Sequence, residues 1–337
     1  MRDALNLPEV FVDALGDVFV YTGGDHQVHD GVRLARIHED VNIVRARAFC
    51  SRQRLFHLIY VEFHDGIEII EEEAFDCCFS LCSSVNMLGI RGPIKLLGVK
   101  VIKAGAFNNC YVLTDVEFGD KLETIEQNAF SSAGLKNVKM LSVRTVGRAA
   151  FSKCPWLTDV EFGSPLQTLQ KDTFIGCDKL ERIALPLRGG MIEDGVFDQC
   201  PKLTTVDLVG GIHQTVASLH MESWRNEMTE EINRINKVLP TITAGKTEAI
   251  QQWMDSVINL LDHYKAEHNN LLKEATTLLE LALWKANIGD NGGERLSREG
   301  VRTTRGGQKR ARKGICVKSG ADVVIKNVLP FLKLLEY

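Results

Sequence analysis

The 337-residue sequence lacks the features that mark several broad classes of protein. No run approaches the roughly 18 apolar residues that a membrane helix needs, and the first residues are not followed by the apolar stretch of a secretion signal. The 28 glycines and 8 prolines are close to ordinary usage, which excludes a collagen-like or low-complexity chain. With 45% hydrophobic residues, the chain can bury a core, and its length suits two domains. We therefore expect a soluble, cytoplasmic protein without a membrane partner.

Sequence motifs of catalysis and of metal binding are also missing. There is no nucleophile elbow, no paired-histidine metal motif and no glycine-rich phosphate loop. Gly245-Lys246-Thr247 matches only the end of a phosphate loop, because Pro240 stands where the first glycine is required. The nine cysteines show no zinc-finger spacing, and their odd number favours a reducing compartment. The sequence predicts no enzyme activity, no metal and no cofactor.

The net charge of −4 conceals a strongly basic stretch. Between Glu294 and Lys318, nine lysines and arginines against two glutamates give +7, so the rest of the chain carries −11. This stretch has no apolar periodicity, which predicts a flexible linker over residues 291–319. Its central basic residues are Arg305, Lys309, Arg310, Arg312 and Lys313. They suit a nuclear import signal or phosphate contacts, but the stretch has no aromatic residues for base stacking, which argues against a nucleic-acid partner.

An internal repeat organises the first two thirds of the chain. Phenylalanine recurs at intervals of 21 to 32 residues, with an aliphatic residue five positions before each copy. A leucine follows six positions after most copies, and a cysteine follows three positions after five of the seven. The copy at Phe130 is one residue shorter and offers Leu135 instead. The repeated phenylalanines are Phe49, Phe75, Phe107, Phe130, Phe151, Phe174 and Phe197.

Each repeat closes with a short apolar–polar–apolar triplet. Clear examples are Val116–Phe118, Val160–Phe162 and Val206–Leu208, and Val85–Met87 fits the same pattern before a longer insertion. Strict alternation indicates a half-buried strand, and a period near 23 residues is typical of a stacked solenoid. The phenylalanines and leucines would then form a continuous inner column.

The repeat unit resembles that of the BspA-like leucine-rich repeats, aliphatic-x-x-x-A-F-x-x-C-x-x-L. The pattern is seen at Ile102–Leu113, Leu169–Leu180 and Ile192–Leu203, and the likeness extends over about Ala35 to Val209. The resemblance implies a curved solenoid that serves as a binding scaffold for protein ligands, without catalysis. The whole layout also resembles large paralogous sets of such proteins in diatoms.

The repeat cysteines and the exposed strand positions raise different questions. Cys154, Cys177 and Cys200 are expected to be small buried side chains, although a coil spacing near 4.8 Å would also allow a disulfide or a soft-metal contact. The polar strand positions face away from the core and form an acid-weighted concave face that would attract a basic protein partner. The alternative is that they only keep the sheet soluble. The predicted partner-binding residues are Glu62, Asp115, Glu117, Lys139, Asp159, Glu161, Arg182 and Asp207.

The periodicity changes to that of helices after Gly211. One apolar stripe runs from Met221 to Leu239 before Pro240, and a second runs from Ile250 to Ala282 in steps of 4 and 3. Two such helices would either cap the last coil of the solenoid or pair with a second subunit through residues 246–285.

The predicted fold is therefore α+β, with one short parallel strand per repeat of roughly 23 residues and a helical hairpin after the solenoid. The predicted segments are an N-terminal cap (1–34), the leucine-rich-repeat solenoid (35–211), the hairpin (212–290), the basic linker (291–319) and a C-terminal apolar helix (320–337). We expect a non-enzymatic interaction scaffold. A nuclear or nucleic-acid-associated regulator that acts through the basic linker is the alternative.

Overall fold

The computed structural model describes residues 18–24, 28, 31–50, 58–81, 92–239 and 245–293. The described chain divides into two compact units, and each is treated by itself. The first contains the residues up to Ala217 together with Asn226–Asn259, and the second contains Ser218–Arg225 and the chain from Leu260 onward. The basic residues Arg305, Lys309, Arg310, Arg312 and Lys313 and the predicted C-terminal helix lie outside the described residues.

Fifteen strands and three helices occur in the described part of the chain. The helices are α1 (Gly211–Val216), α2 (Glu222–Val238) and α3 (Lys246–Gly293). None of them is long and apolar enough to cross a membrane. The strands are β1 (Phe19–Tyr21), β2 (Leu34–Ile37), β3 (Ile43–Val44), β4 (Tyr60–Glu62), β5 (Ile69–Ile70), β6 (Ile94–Leu96), β7 (Val101–Ile102), β8 (Val116–Phe118), β9 (Thr124–Ile125), β10 (Asn137–Met140), β11 (Thr145–Val146), β12 (Asp159–Phe162), β13 (Thr168–Leu169), β14 (Arg182–Leu185) and β15 (Thr205–Leu208).

The strands stack as a parallel solenoid, which confirms the predicted fold. The two-residue strands form one sheet in the order β13-β11-β9-β7-β5-β3, while the longer strands form sheets β1-β2-β4, β6-β8 and β10-β12-β14-β15. Each strand pairs with its equivalent one coil away, as in Val138↔Val160 and Val160↔Ile183. A parallel ladder of this kind needs a crossover between successive strands, and each repeat supplies one.

The structure adds two strands that the repeat pattern did not predict. The predicted strand Val85–Met87 lies outside the described residues. Within the insertion, Ile94–Leu96 forms a strand that pairs with β8 in the register Ile94↔Val116. Before the first phenylalanine of the repeat, Phe19 pairs with Ala35, so the sheet begins within the predicted N-terminal cap.

The seven repeat phenylalanines form one stack through the core, as predicted. All seven are buried, and their rings lie nearly parallel, with centroids 4.9 Å apart from Phe49 to Phe75 and 6.0 Å apart from Phe174 to Phe197. Aromatic contacts contribute about 0.5–1.5 kcal/mol each beyond the burial of their area. No single coil could bury such a ring, so each repeat depends on its neighbours.

The turn around each phenylalanine contains residues in the left-handed backbone region. Glu73 and Cys77 flank Phe75 with φ values of 53° and 61°, and Ala149 and Lys153 flank Phe151 with 54° and 53°. Most of these positions hold side chains although the conformation favours glycine. The same turn recurs along the stack, so these backbone positions are imposed by the solenoid.

Helical residues in the first unit are packed, which restricts the predicted subunit contact. Met228, Ile232 and Ile235 of α2 are buried there, as are Ile250, Trp253, Met254 and Val257 of α3. The indole Nε1 of Trp253 donates a hydrogen bond to the carbonyl of Glu231 at 3.1 Å. The start of the second apolar stripe is therefore covered within the chain.

The second unit has a small aromatic cluster and an exposed helical stretch. Trp224 stacks on Tyr264 with ring centroids 5.2 Å apart, and His220 stacks on His268 at 4.2 Å. Burial, with a smaller effect of His220, lowers the pKa of His268. Further along α3, large apolar side chains are exposed at Leu271, Leu278, Leu281 and Trp284.

Candidate functional site

The repeat cysteines bind the backbone of neighbouring coils. Each donates its thiol hydrogen to the carbonyl of the phenylalanine one coil earlier, with Sγ–O distances between 3.1 and 3.3 Å. Burial raises the pKa of the Cys110 and Cys177 thiols well above the usual range. No disulfide bond joins the repeat cysteines Cys78, Cys110, Cys154, Cys177 and Cys200. Thiols that are buried and protonated in this way hold the fold and are poor nucleophiles.

In the last coil, side chains accept the backbone hydrogen bonds that a following coil would otherwise accept. In the preceding coils, the phenylalanine N–H donates to a backbone carbonyl of the following coil, as from Phe174 to Val196 at 3.0 Å. The N–H of Phe197 donates instead to Oγ1 of Thr247 at 2.9 Å, and Val206 N–H donates to Oδ1 of Asn236 at 2.9 Å. Side chains of α2 and α3 therefore complete the hydrogen bonds at the free edge.

Lys246 is the centre of this cap. Its side chain is fully buried, and Nζ donates to the carbonyls of Cys200, Pro201 and Leu203 at 2.7, 3.0 and 2.8 Å. Burial lowers its pKa. An ammonium group has three donors, and all three are used here. The Gly-Lys-Thr sequence that fails as a phosphate loop thus has a structural role.

A second set of contacts between coils was missed from the sequence. At the position four residues before the phenylalanine, a carboxylate or amide accepts the backbone N–H of the preceding coil, with distances between 2.8 and 3.2 Å. The recurrence of Glu and Gln at this position is the sequence signal that would have revealed it. The pairs are Glu71 with Ala46, Glu126 with Ala104, Gln170 with Arg148, and Glu193 with Lys171.

The predicted partner-binding residues lie on the outward strand face, which we define as the polar positions of β4, β8, β10, β12, β14 and β15. Their alternation with buried residues is clear in β12, where Val160 and Phe162 are buried and Asp159 and Glu161 are partly exposed. The registers bring Lys139 beside Glu161, and Arg182 beside Asp159 on one side and near Asp207 on the other. The structure thus brings together most of the predicted set in successive strands.

Most carboxylates of this face are paired with cations of adjacent coils. Glu62 contacts Arg36 at 2.6 Å, and Glu161 contacts Lys139 at 3.0 Å. Arg182 lies between two carboxylates, with Nη1 3.1 Å from Asp159 and Nε 2.6 Å from Asp207. The predicted acidic row is therefore largely neutralised along these strands.

The exception is β8, at a groove of about 650 Å³. The groove is lined by Glu117 and Asp120, by Phe118, and by Lys139 and Leu141 of the next coil. Asp115 also lines it and accepts a hydrogen bond from the hydroxyl of Thr114 at 2.6 Å. Glu117 and Asp120 are exposed and form no ion pair within the described part of the chain, although the register places the exposed Lys95 of β6 beside Glu117. This groove is the candidate binding site.

A smaller depression of about 320 Å³ adjoins the groove at Leu141. Its walls come from the outward strand face, with Glu161, Arg182 and Asp207, and from Ile232 and Asn236 of α2. Because the charged groups here are already paired with one another, this depression presents fewer free charges than the groove at β8.

One further cluster of potential ligands lies near the start of the solenoid. The ligand atoms of Cys50, Glu73 and Asp76 are all within 4.8 Å of one another. Protein groups already contact them, since Glu73 pairs with Arg47 at 2.8 Å and Asp76 accepts a hydrogen bond from Asn108 at 2.9 Å. These contacts join successive coils of the solenoid.

Solved structures of leucine-rich repeat proteins are similar to parts of the chain. A Bacteroides ovatus protein is 24% identical, with a TM-score of 0.43, over 57% of this chain and 46% of its own length. A T. pallidum protein is 25% identical with a TM-score of 0.37, over 44% of this chain and 68% of its own. The pneumococcal vaccine antigen PcpA is 16% identical with a TM-score of 0.30, over 57% and 66%. The chain thus spans less than half of the first of these proteins.

A search of curated proteins found no significant match. The family model of the BspA type leucine-rich repeat region matches residues 98–226 with six copies. The matched residues contain the phenylalanine stack from Phe107 to Phe197 and the parallel strands that surround it. Residues 98–226 therefore match the BspA type leucine-rich repeat region, and the described coils there have the fold that such repeats form.

Proposed function

We propose that the chain is a non-enzymatic scaffold that binds a protein partner on its outward strand face. The observation that carries the proposal is the alignment of exposed charged side chains in register on successive strands. A parallel stack presents such a row at a fixed spacing, which suits an extended surface of a partner. The match to BspA type leucine-rich repeats supports the same function.

The charges of this face favour a partner with basic groups. Glu117 and Asp120 contribute negative charge at the groove. The carboxylates elsewhere on the face form ion pairs with Arg36, Lys139 or Arg182 of adjacent coils. An acidic surface attracts cationic partners and raises their rate of encounter, and salt screens this attraction within about 8 Å at physiological ionic strength. Binding should therefore weaken as salt concentration rises.

Affinity capture with the full chain tests this function. The doubly substituted Glu117→Lys, Glu161→Lys chain is compared with a control that carries Asp178→Lys and Glu280→Lys, two exposed positions away from the face. We expect proteins that the wild type and the control retain at low salt to be lost from the doubly substituted chain. An identical set of retained proteins for all three chains would contradict the proposal.

The exposed part of α3 supports self-association as a further property of the scaffold. Leu271, Leu278, Leu281 and Trp284 are exposed, and Leu278 is 67% accessible. Apolar side chains at helical spacing can pair with a second helix. Because the apolar side chains at the start of α3 are buried within the chain, only residues 260–285 are available for this contact. Light scattering should show a dimer or larger species that Leu278→Glu with Leu281→Glu converts to a monomer. A monomeric wild type at high concentration would contradict self-association.

The basic linker supports a second candidate function in the nucleus. Its +7 charge between Glu294 and Lys318 is the observation that favours import or phosphate contacts. We propose a cytoplasmic scaffold as the principal state, and deletion of residues 309–313 tests the alternative. A nuclear fraction that disappears on deletion would support import, and an unchanged distribution would count against it.

A further inference from the structure

We infer that the groove at β8 and β10 is the anchor of the outward strand face, and that it takes an extended protein segment with a basic side chain next to a large apolar one. This inference rests on the proposed scaffold function and names the kind of partner segment. It combines three observations: two carboxylates that form no ion pair among the described residues, an exposed leucine, and the end of one sheet at the same place.

The charge balance of the face locates the anchor. Of the six carboxylates predicted on the face, Glu62, Asp159, Glu161 and Asp207 form ion pairs at 2.6 to 3.1 Å. Asp115 lines the groove and accepts a hydrogen bond from Thr114. Glu117 and Asp120 also line it and form no ion pair among the described residues. A basic side chain that enters the groove can therefore pair with Glu117 or Asp120 without breaking an existing ion pair.

Leu141 gives the groove an apolar wall that the fold does not require. Its side chain is 57% exposed at the position directly after β10. The preceding and following coils have Gly119 and Gly163 there, where an added Cβ would lie 2.0 Å from the Leu97 carbonyl oxygen and 1.9 Å from that of Leu141. The coil of Leu141 thus departs from its neighbours by placing a large apolar side chain in solvent. Together with Phe118, Leu141 places apolar surface beside the carboxylates of the groove.

The groove coincides with a break in the sheet. The strands β6 and β8 form one sheet, and β10 begins another, although the backbone of Lys136 still donates to the Thr114 carbonyl at 3.1 Å. The shortened repeat at Phe130 lies between these two strands. Among the described residues, no backbone ladder continues along β8 and β10 beyond this contact, and the groove lies at this junction of two sheets.

The chemistry of the groove selects the occupant. Carboxylates along one side match a lysine or arginine, and Leu141 with Phe118 matches a large apolar side chain in the next one or two positions. A volume of about 650 Å³ accommodates a few side chains of an extended segment. We therefore expect a short linear segment of a partner protein to bind here.

Selection of random dodecapeptides displayed on phage against the full chain tests the inference. We expect enriched peptides to place Lys or Arg within two residues of Leu, Ile, Met, Phe or Trp. Their affinity, measured as synthetic peptides, should fall at least tenfold with Glu117→Lys and with Leu141→Ser. It should stay unchanged with Asp178→Lys and Val112→Ser, which alter an exposed acidic and an exposed apolar residue outside the groove. All four positions are exposed, so circular dichroism should show the wild-type fold in each variant.

Two results would overturn the inference. Enriched peptides without basic residues would exclude the acidic anchor, and equal affinities for the wild type and Leu141→Ser would exclude the apolar wall. Partners that depend on Glu161 while tolerating both groove substitutions would leave the scaffold function standing and remove only the groove as its anchor. Loss of all partner binding to the wild-type chain would remove the proposed function itself.

Discussion

The cysteine three residues after each repeat phenylalanine shows how one side chain serves two purposes. It fills a small buried space, which the sequence predicts, and it donates to the phenylalanine carbonyl of the preceding coil. The hydrogen bond could not be predicted from one repeat, because its acceptor lies in another coil. The Phe75 carbonyl also accepts the backbone N–H of Cys78 at 3.2 Å, so the thiol of Cys110 supplies a second donor that links the two coils.

The buried thiols should be chemically silent in the native chain. Treatment with N-ethylmaleimide at pH 8 should leave Cys110 and Cys177 unmodified, because both are fully buried and burial raises their pKa. Burial, with a smaller effect of Asp76, raises the pKa of the more exposed Cys77 to about 11, so it should react about a hundredfold more slowly than a free cysteine. Mass spectrometry of the digested chain measures each site. Rapid modification of Cys110 or Cys177 before unfolding would contradict the structure.

The left-handed turns allow a test with two adjacent alanines. Ala149 has a φ of 54°, whereas Ala150 is buried with an ordinary φ. Because an L-residue in the left-handed region costs about 1–2 kcal/mol, Ala149→Gly should raise the free energy of unfolding by about 0.5–1 kcal/mol. Ala150→Gly should lower it by about 1.5 kcal/mol, since it removes a buried methyl group and loosens the backbone. Urea unfolding measures both changes. A lower free energy of unfolding for Ala149→Gly together with a higher one for Ala150→Gly would refute the turn geometry.

At the scale of elements, helices α2 and α3 finish the solenoid by supplying side chains in place of a backbone. A free strand edge would leave hydrogen-bonding groups open to another chain. Thr247, Asn236 and Lys246 bind these groups at the last coil. The apolar periodicity predicts two helices that could form a cap, but a lysine after a glycine gives no sign that its side chain will be buried.

Lys246→Met tests the cap. The substitution removes the donor of three carbonyls while keeping the apolar stem, so it should lower the free energy of unfolding by about 3 kcal/mol. Lys273→Met, at an exposed position of α3, is the matched control and should change it by less than about 0.5 kcal/mol. Both are measured by urea unfolding followed by circular dichroism. Equal stability of the two variants would show that Lys246 does not hold the last coil.

The strand β6 in the insertion was not predicted from the sequence. Ile94–Leu96 alternates apolar and polar residues, but only its pairing with β8 shows that it joins the sheet. Regular repeats were predicted well, because each apolar position is confirmed by the same position in other copies. An insertion removes that confirmation, and spacing no longer defines the register.

At the scale of the whole molecule, the charge of the outward strand face is set by ion pairs between coils. The sequence predicts an acid-weighted row, since the outward residues can be read from the alternation. It does not show that Arg182 bridges Asp159 and Asp207, because these residues are about 23 positions apart and meet only in the stacked sheet. In the described residues, these pairs leave Glu117 and Asp120 of the groove as carboxylates that form no ion pair.

Hydrogen exchange of the full chain with a peptide enriched in the phage selection tests the central claim most directly. If the groove at β8 and β10 is the binding site, the bound peptide should slow amide exchange in residues 115–120 and 136–141. Exchange in the cap around Lys246 and Thr247 should stay the same, because these residues already hold the last coil. Protection confined to the turns, to α3 or to residues outside the outward strand face would contradict the account.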